Sequence, residues 1–300
     1  MPPESRLPAP REAAFAWLIG LVVVIAAGLS MAAVAAGTAV AAGLSPDAAL
    51  ALISDPLRSP LVTSPSWIAA SIAVNEVCVG LLLVLWWRRL RAPIGQILPL
   101  SRPSLRALVG AVLLPFGFAP LAEVTAELVY RWTPNSLGPD HFVRTLARGT
   151  TPQLFAIVLL CAAVLPALAE EALFRGFVMT AFRRYAPLVV ILVSSVMFGL
   201  FHLDPTQAAG TAVLGPAFGL VRLYTGSIWA CMLSHCAYNA GVILEARWFA
   251  DSTSLHISWA RVGIGLVLAF AALALLVGDL GRRHLLRLSF RPPPSSRGPS

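Results

Sequence analysis

The 300-residue sequence contains no lysine: all 22 of its basic residues are arginine. Charge of either sign is scarce, at 12% of residues, where a soluble globular domain carries roughly a quarter. So few charges exclude a water-facing globular surface, and a hydrophobic fraction of 58% places the chain in a bilayer. CxxC spacing is absent as well. Cys78, Cys161, Cys231 and Cys236 all fall in apolar stretches, which excludes a metal knuckle or a disulfide framework and leaves small buried hydrophobes. There is no Gly-rich phosphate loop and no internal repeat, and the missing repeat counts against a transporter built from symmetric halves. The net charge of +8 does not point to nucleic acid, because the arginines cluster at segment ends. Arg88, Arg89 and Arg91, then Arg183 and Arg184, then Arg282, Arg283 and Arg287 sit where lipid headgroups select for them.

What is present is a series of long apolar runs. Hydropathy predicts segments at about 14–43, 67–87, 105–130, 154–182, 188–203, 208–224, 228–244 and 259–277. The expectation is an all-α integral membrane protein of about eight transmembrane helices, with the chemistry carried by helices four to seven. Residues 1–13 form an N-terminal cytoplasmic segment, 14–278 one polytopic membrane domain with a motif-bearing core at about 150–250, and 279–300 a basic Pro/Ser-rich disordered tail. The first run follows Arg6 and Arg11 as a secretory leader would, but it is nearly twice the usual leader length. Trp67, Trp86, Trp87, Trp132, Trp229, Trp248 and Trp259 lie near segment ends, as interfacial aromatics do. The arginine-rich loop after the second segment orients the chain with both termini in the cytoplasm of a cell (inner) membrane.

A charge in the hydrocarbon core costs several kcal/mol, so ionisable groups inside these runs are candidates for function. They are Glu76, Glu123, Glu127, Glu170, Glu171, Arg175, His202, Arg222 and His235, joined by the polar Asn239. In EEALFRG (170–176), Glu171 and Arg175 are i,i+4 with the acid first, the better orientation for a helical ion pair. Glu170 is turned about 100° away, which leaves it free to act as a general base. His235 and Asn239, in HCAYN, share one helix face. Glu170 and His202 are each sixteen residues from Ala186, the centre of the connection between segments four and five. In a regular helical hairpin that places them level, ~24 Å from the turn, with Pro166 able to kink the first arm.

EEALFRG, FGLFH and HCAYN, in that order on successive segments, resemble the three motifs of the CAAX-protease and bacteriocin-processing (abortive-infection) family of intramembrane endopeptidases. Those motifs read Glu-Glu-x-x-x-Arg, Phe-x-x-x-His and His-x-x-x-Asn, and none is substituted here. The resemblance implies that Glu170 and His202 activate the attacking water, and that His235 and Asn239 stabilise the oxyanion. Glu171, Arg175 and Phe198 would support them. It implies a protein or peptide substrate in the membrane. The chain's compactness and arginine-only usage suggest a prokaryotic member, for which prenylated substrates are not expected. A zinc ion at Glu170, His202 and His235 is the alternative to a metal-free mechanism, although Asn239 suits an oxyanion donor better than a zinc ligand. Three rival readings compete. One is a non-catalytic scaffold or immunity protein of the same fold. The others are an ion or solute transporter using Glu123 and Glu127, and a haem carrier with His202 and His235 as axial ligands.

Overall fold

The computed structural model describes residues 7–54, 63–133, 141–248 and 258–283, and among these every regular element is helical. Eight long helices fall on the eight apolar runs: α1 Pro10–Ala41, α2 Pro65–Leu90, α3 Leu105–Trp132, α4 Pro152–Ala181, α5 Pro187–Leu200, α6 Pro205–Thr225, α7 Ile228–Trp248 and α8 Trp259–Arg283. Proline opens five of them, at Pro10, Pro65, Pro152, Pro187 and Pro205. There its missing N–H costs nothing and its fixed φ suits the first turn. Side chains cap other starts: Ser104 accepts from the Ala107 N–H, and Thr151 from that of Leu154. The tail beyond Arg283 and the loops around Asp55 and Asp251 lie outside the described residues.

The chain is an all-α membrane protein, and five of its described helices are long and apolar enough to cross a bilayer: α1 to α4, and α8 through Gly278. The expectation of about eight spans thus meets five that satisfy both length and composition. Helix α5, with 14 residues, extends only ~21 Å against a hydrocarbon thickness of ~30 Å. Helices α6 and α7 have 21 residues each but are more polar, because α6 carries Gln207 and Arg222, and α7 carries His235, Asn239 and Arg247. The third motif lies on α7, and both of these helices can be this polar because other helices cover them.

Helix α2 packs against α1 and α4, α7 against α3 and α4, and α6 against α3 and α5. Small residues let the backbones approach, as they do in membranes generally. A Cβ on Gly117 of α3 would stand 2.6 Å from the Ala269 nitrogen of α8, and one on Gly215 of α6 would stand 2.5 Å from the Ser195 Cβ of α5. Helix α1 is tied into the bundle by Trp17, whose Nε1–H donates to the Met197 carbonyl at 2.9 Å. Trp86 departs from the interfacial expectation. It is buried, with its ring 5.9 Å from Phe15 and 6.2 Å from Phe177, while its neighbour Trp87 is exposed. Both sit in the last turn of α2, but only Trp86 faces the core.

Candidate active site

Helix α4 is not regular where it carries the acids. It passes from α-helix into a π-helical turn at Leu160–Val164, back to α-helix over Leu165–Glu171, and into a second π-helical stretch at Ala172–Val178. Such π-bulges gather at functional sites because they re-aim side chains without ending the helix. Pro166 explains part of the first. It has no N–H to give the carbonyl four residues back, that of Ala162. Asn239 supplies the missing donor: its Nδ2 lies 3.2 Å from the Ala162 oxygen. One of the two amide protons of Asn239 therefore locks α7 to the irregular part of α4.

The ion pair expected from spacing is present. Arg175 Nη1 donates to Glu171 Oε1 at 3.0 Å, and both side chains are wholly buried. Its Nη2 donates to the Gly215 carbonyl of α6, also at 3.0 Å. The guanidinium lies over two aromatic faces, 4.6 Å from the centroid of Phe198 and 5.1 Å from that of Phe218. A buried cation needs this much compensation. The same Glu171 oxygen sits 2.9 Å from His235 Nδ1, and the other nitrogen of that ring, Nε2, is 3.8 Å from Glu170 Oε2. His235 thus stands between the two acids and stacks on Phe218 at 4.8 Å. Glu170 makes no hydrogen bond of ordinary length among the described residues, and is 7% exposed.

His202 is placed just past the end of α5, where the helix tightens: the Phe201 N–H reaches the Phe198 carbonyl at 3.3 Å, and the His202 N–H reaches that of Gly199 at 3.1 Å. The Phe198 carbonyl also faces His202 Nδ1 at 3.1 Å. A ring that gives its Nδ1 proton to that carbonyl keeps Nε2 as an acceptor. Leu203 then turns the chain with φ 61°, and the Asp204 carboxylate caps α6 by accepting from the Thr206 and Gln207 N–H groups at 3.0 Å each. The Phe198 ring stands edge-on to both imidazoles, 5.2 Å from His202 and 5.8 Å from His235. No hydrogen bond joins His202 to Glu170. The two come from adjacent helices as the hairpin count expects, but α4 is not the regular arm that count assumed.

Residues 152–241 match the family described as type II CAAX prenyl endopeptidase Rce1-like. That stretch is less than a third of the chain. All three motifs lie inside the matched segment, which runs from the start of α4 into α7 and agrees with the resemblance read from the motifs. No curated protein and no solved structure matches the chain.

Several contributors escaped the sequence reading. Phe218 and Gly215, on α6, are apolar or bare and carry no signal of chemistry, yet one floors His235 and the other receives Arg175. The acids at Glu123 and Glu127, candidates for an ion path, are paired instead: Glu127 with Arg131 at 3.1 Å and Glu123 with Arg261 at 3.2 Å. All four cysteines are free. Among the described residues no three His, Cys, Asp or Glu side chains come together as a metal-binding set. The Nδ1 atoms of His235 and His202 face Glu171 and the Phe198 carbonyl, contacts that orient each ring and leave its Nε2 for another partner.

Proposed function

We propose that this chain is an intramembrane endopeptidase in which Glu170 is the general base. The family of its core supports a CAAX-type protease, and the observation that carries the finer reading is the asymmetry of the two acids. Glu171 is committed to Arg175 and His235, whereas Glu170 is buried, adjacent and unbonded. In this mechanism a water held at Glu170, beside His202, loses a proton to Glu170 as its oxygen attacks the scissile carbonyl. The electron pair displaced onto the carbonyl oxygen is met by His235 and by the second amide proton of Asn239. Collapse of that intermediate breaks the C–N bond, and the proton held by Glu170 passes to the leaving amine.

The substrate is a membrane-associated protein or peptide, and the chain sits in the cell membrane with both termini in the cytoplasm. The reading is metal-free, because Asn239 suits an oxyanion donor better than a zinc ligand. Purified wild type and Glu170→Gln in liposomes, offered a peptide library with and without chelator, test the reading. Cleavage by the wild type alone, indifferent to chelator, is expected. Equal cleavage by both removes Glu170 from the mechanism, and a chelator-sensitive activity returns the zinc alternative.

A further inference from the structure

One intramembrane acid is left without a role. Glu76 lies in the middle of α2, 8% exposed, and its Oε2 is buried with no hydrogen-bond partner. Two further polar atoms of the same helix, Ser71 Oγ and Asn75 Oδ1, are buried and unpartnered too. An acid that merely braced the bundle would be paired, since leaving a buried carboxylate uncompensated costs several kcal/mol. Arg175, the buried cation of the site, is already engaged by Glu171 and Gly215.

The packing shows what Glu76 faces. Near the start of α2, Ile68 and Ala69 share an apolar cluster with Phe155, Val158 and Cys161 of α4. Near its end, Val79 and Trp86 share another with Phe174 and Phe177. The two helices therefore advance side by side in the same direction, and α2 packs directly on Leu165–Glu171. Glu76, between those anchors, comes within about one helical turn of Glu170 in height. Val74 and Val77 are exposed while Glu76 is not, so its side chain is on the protein-facing side of α2.

We propose that Glu76 is a positioning residue of this site: it accepts a hydrogen bond from the attacking water and so aims that water's lone pair at the scissile carbonyl. The inference rests on the endopeptidase reading. One O–H bond of the water breaks as its proton passes to Glu170, the water oxygen bonds to the carbonyl carbon, and the C=O electron pair moves onto oxygen. The second O–H stays directed at Glu76, which is chemically unchanged. A water that gives one O–H to Glu170 and the other to Glu76 has two of the two to four polar partners that a buried water needs.

The test measures kcat and KM for wild type, Glu76→Gln, Glu76→Met and Glu170→Gln in liposomes, on a quenched fluorescent peptide cleaved by the wild type, with thermal unfolding of each. Glu76→Gln keeps an acceptor oxygen and should hold kcat within about threefold. Glu76→Met should lose kcat by about 100-fold, the scale of a misplaced reactant, with KM and the unfolding midpoint little changed. Wild-type kcat in Glu76→Met, equal losses in Gln and Met, or a change confined to KM would each overturn the role. Wild type and Glu170→Gln behaving alike would overturn the endopeptidase reading itself, and this inference with it.

Discussion

His235 hangs its Nδ1 on Glu171 at 2.9 Å, and this turns its Nε2 toward Glu170, 3.8 Å away. The second glutamate of the pair is therefore an orienting group. It fixes the imidazole as a carboxylate fixes the base of a catalytic triad, and it is itself fixed by Arg175. The acid left over, Glu170, is the base of the proposed mechanism.

Removing Glu171 should accordingly cost structure before it costs chemistry. Glu171→Gln leaves Arg175, wholly buried, without a counter-charge, with the Gly215 carbonyl, an amide oxygen and two aromatic faces as its remaining partners. Breaking a buried pair from one side costs about 3–5 kcal/mol. Thermal unfolding in detergent should show a large drop for Glu171→Gln and a small one for Glu170→Gln, whose carboxylate has no partner to strand. Equal drops would mean that the two acids are equivalent after all.

Asn239 has a structural duty that can be separated from any catalytic one. Its amide takes the place of the N–H that Pro166 denies to the Ala162 carbonyl. Asn239→Ala should destabilise by about 1–3 kcal/mol, the cost of an orphaned buried acceptor. In a Pro166→Ala background the helix supplies its own N–H, and the stability loss from Asn239→Ala should shrink to near zero. Lost cleavage should persist in that double mutant. Cleavage restored together with stability would reduce Asn239 to a cap.

These two cases show what was legible beforehand. The Glu171–Arg175 pair was legible because i,i+4 acid–base spacing is a local property of one helix. All eight apolar runs became helices within a few residues of their expected ends, because a bilayer makes hydropathy and helix nearly the same signal. The π-helical turns in α4 were not legible, since they depend on what Pro166, Asn239 and the packing of α7 do together. Phe218 and Gly215 were hidden for a related reason: their meaning comes from neighbours on other helices. Glu76 was visible as an intramembrane acid, but the helix it faces was not. Hydropathy also did not set apart α5, which is apolar but short, or α6 and α7, whose polarity is tolerable because other helices cover them.

The turn that holds His202 contains a testable strain. Leu203 adopts φ 61°, a left-handed conformation that costs a residue with a Cβ about 1–2 kcal/mol. Leu203→Gly should remove that strain and raise the unfolding midpoint slightly, offset in part by the greater freedom of glycine in the unfolded chain. Its kcat should fall modestly as His202 gains freedom, with KM unchanged. A stability loss of 2 kcal/mol or more would show that the Leu203 side chain, and not the turn, matters there.

The central claim is that Glu170, and not Glu171, is the base of a peptide-cleaving site. The most direct measurement is single-turnover cleavage of a fluorogenic peptide by matched, folded samples of wild type, Glu170→Gln and Glu171→Gln in liposomes, each checked for its unfolding midpoint. Glu170→Gln should retain its fold and lose at least about 100-fold in rate, the usual contribution of a general base. A folded Glu170→Gln enzyme cleaving at the wild-type rate would contradict the account.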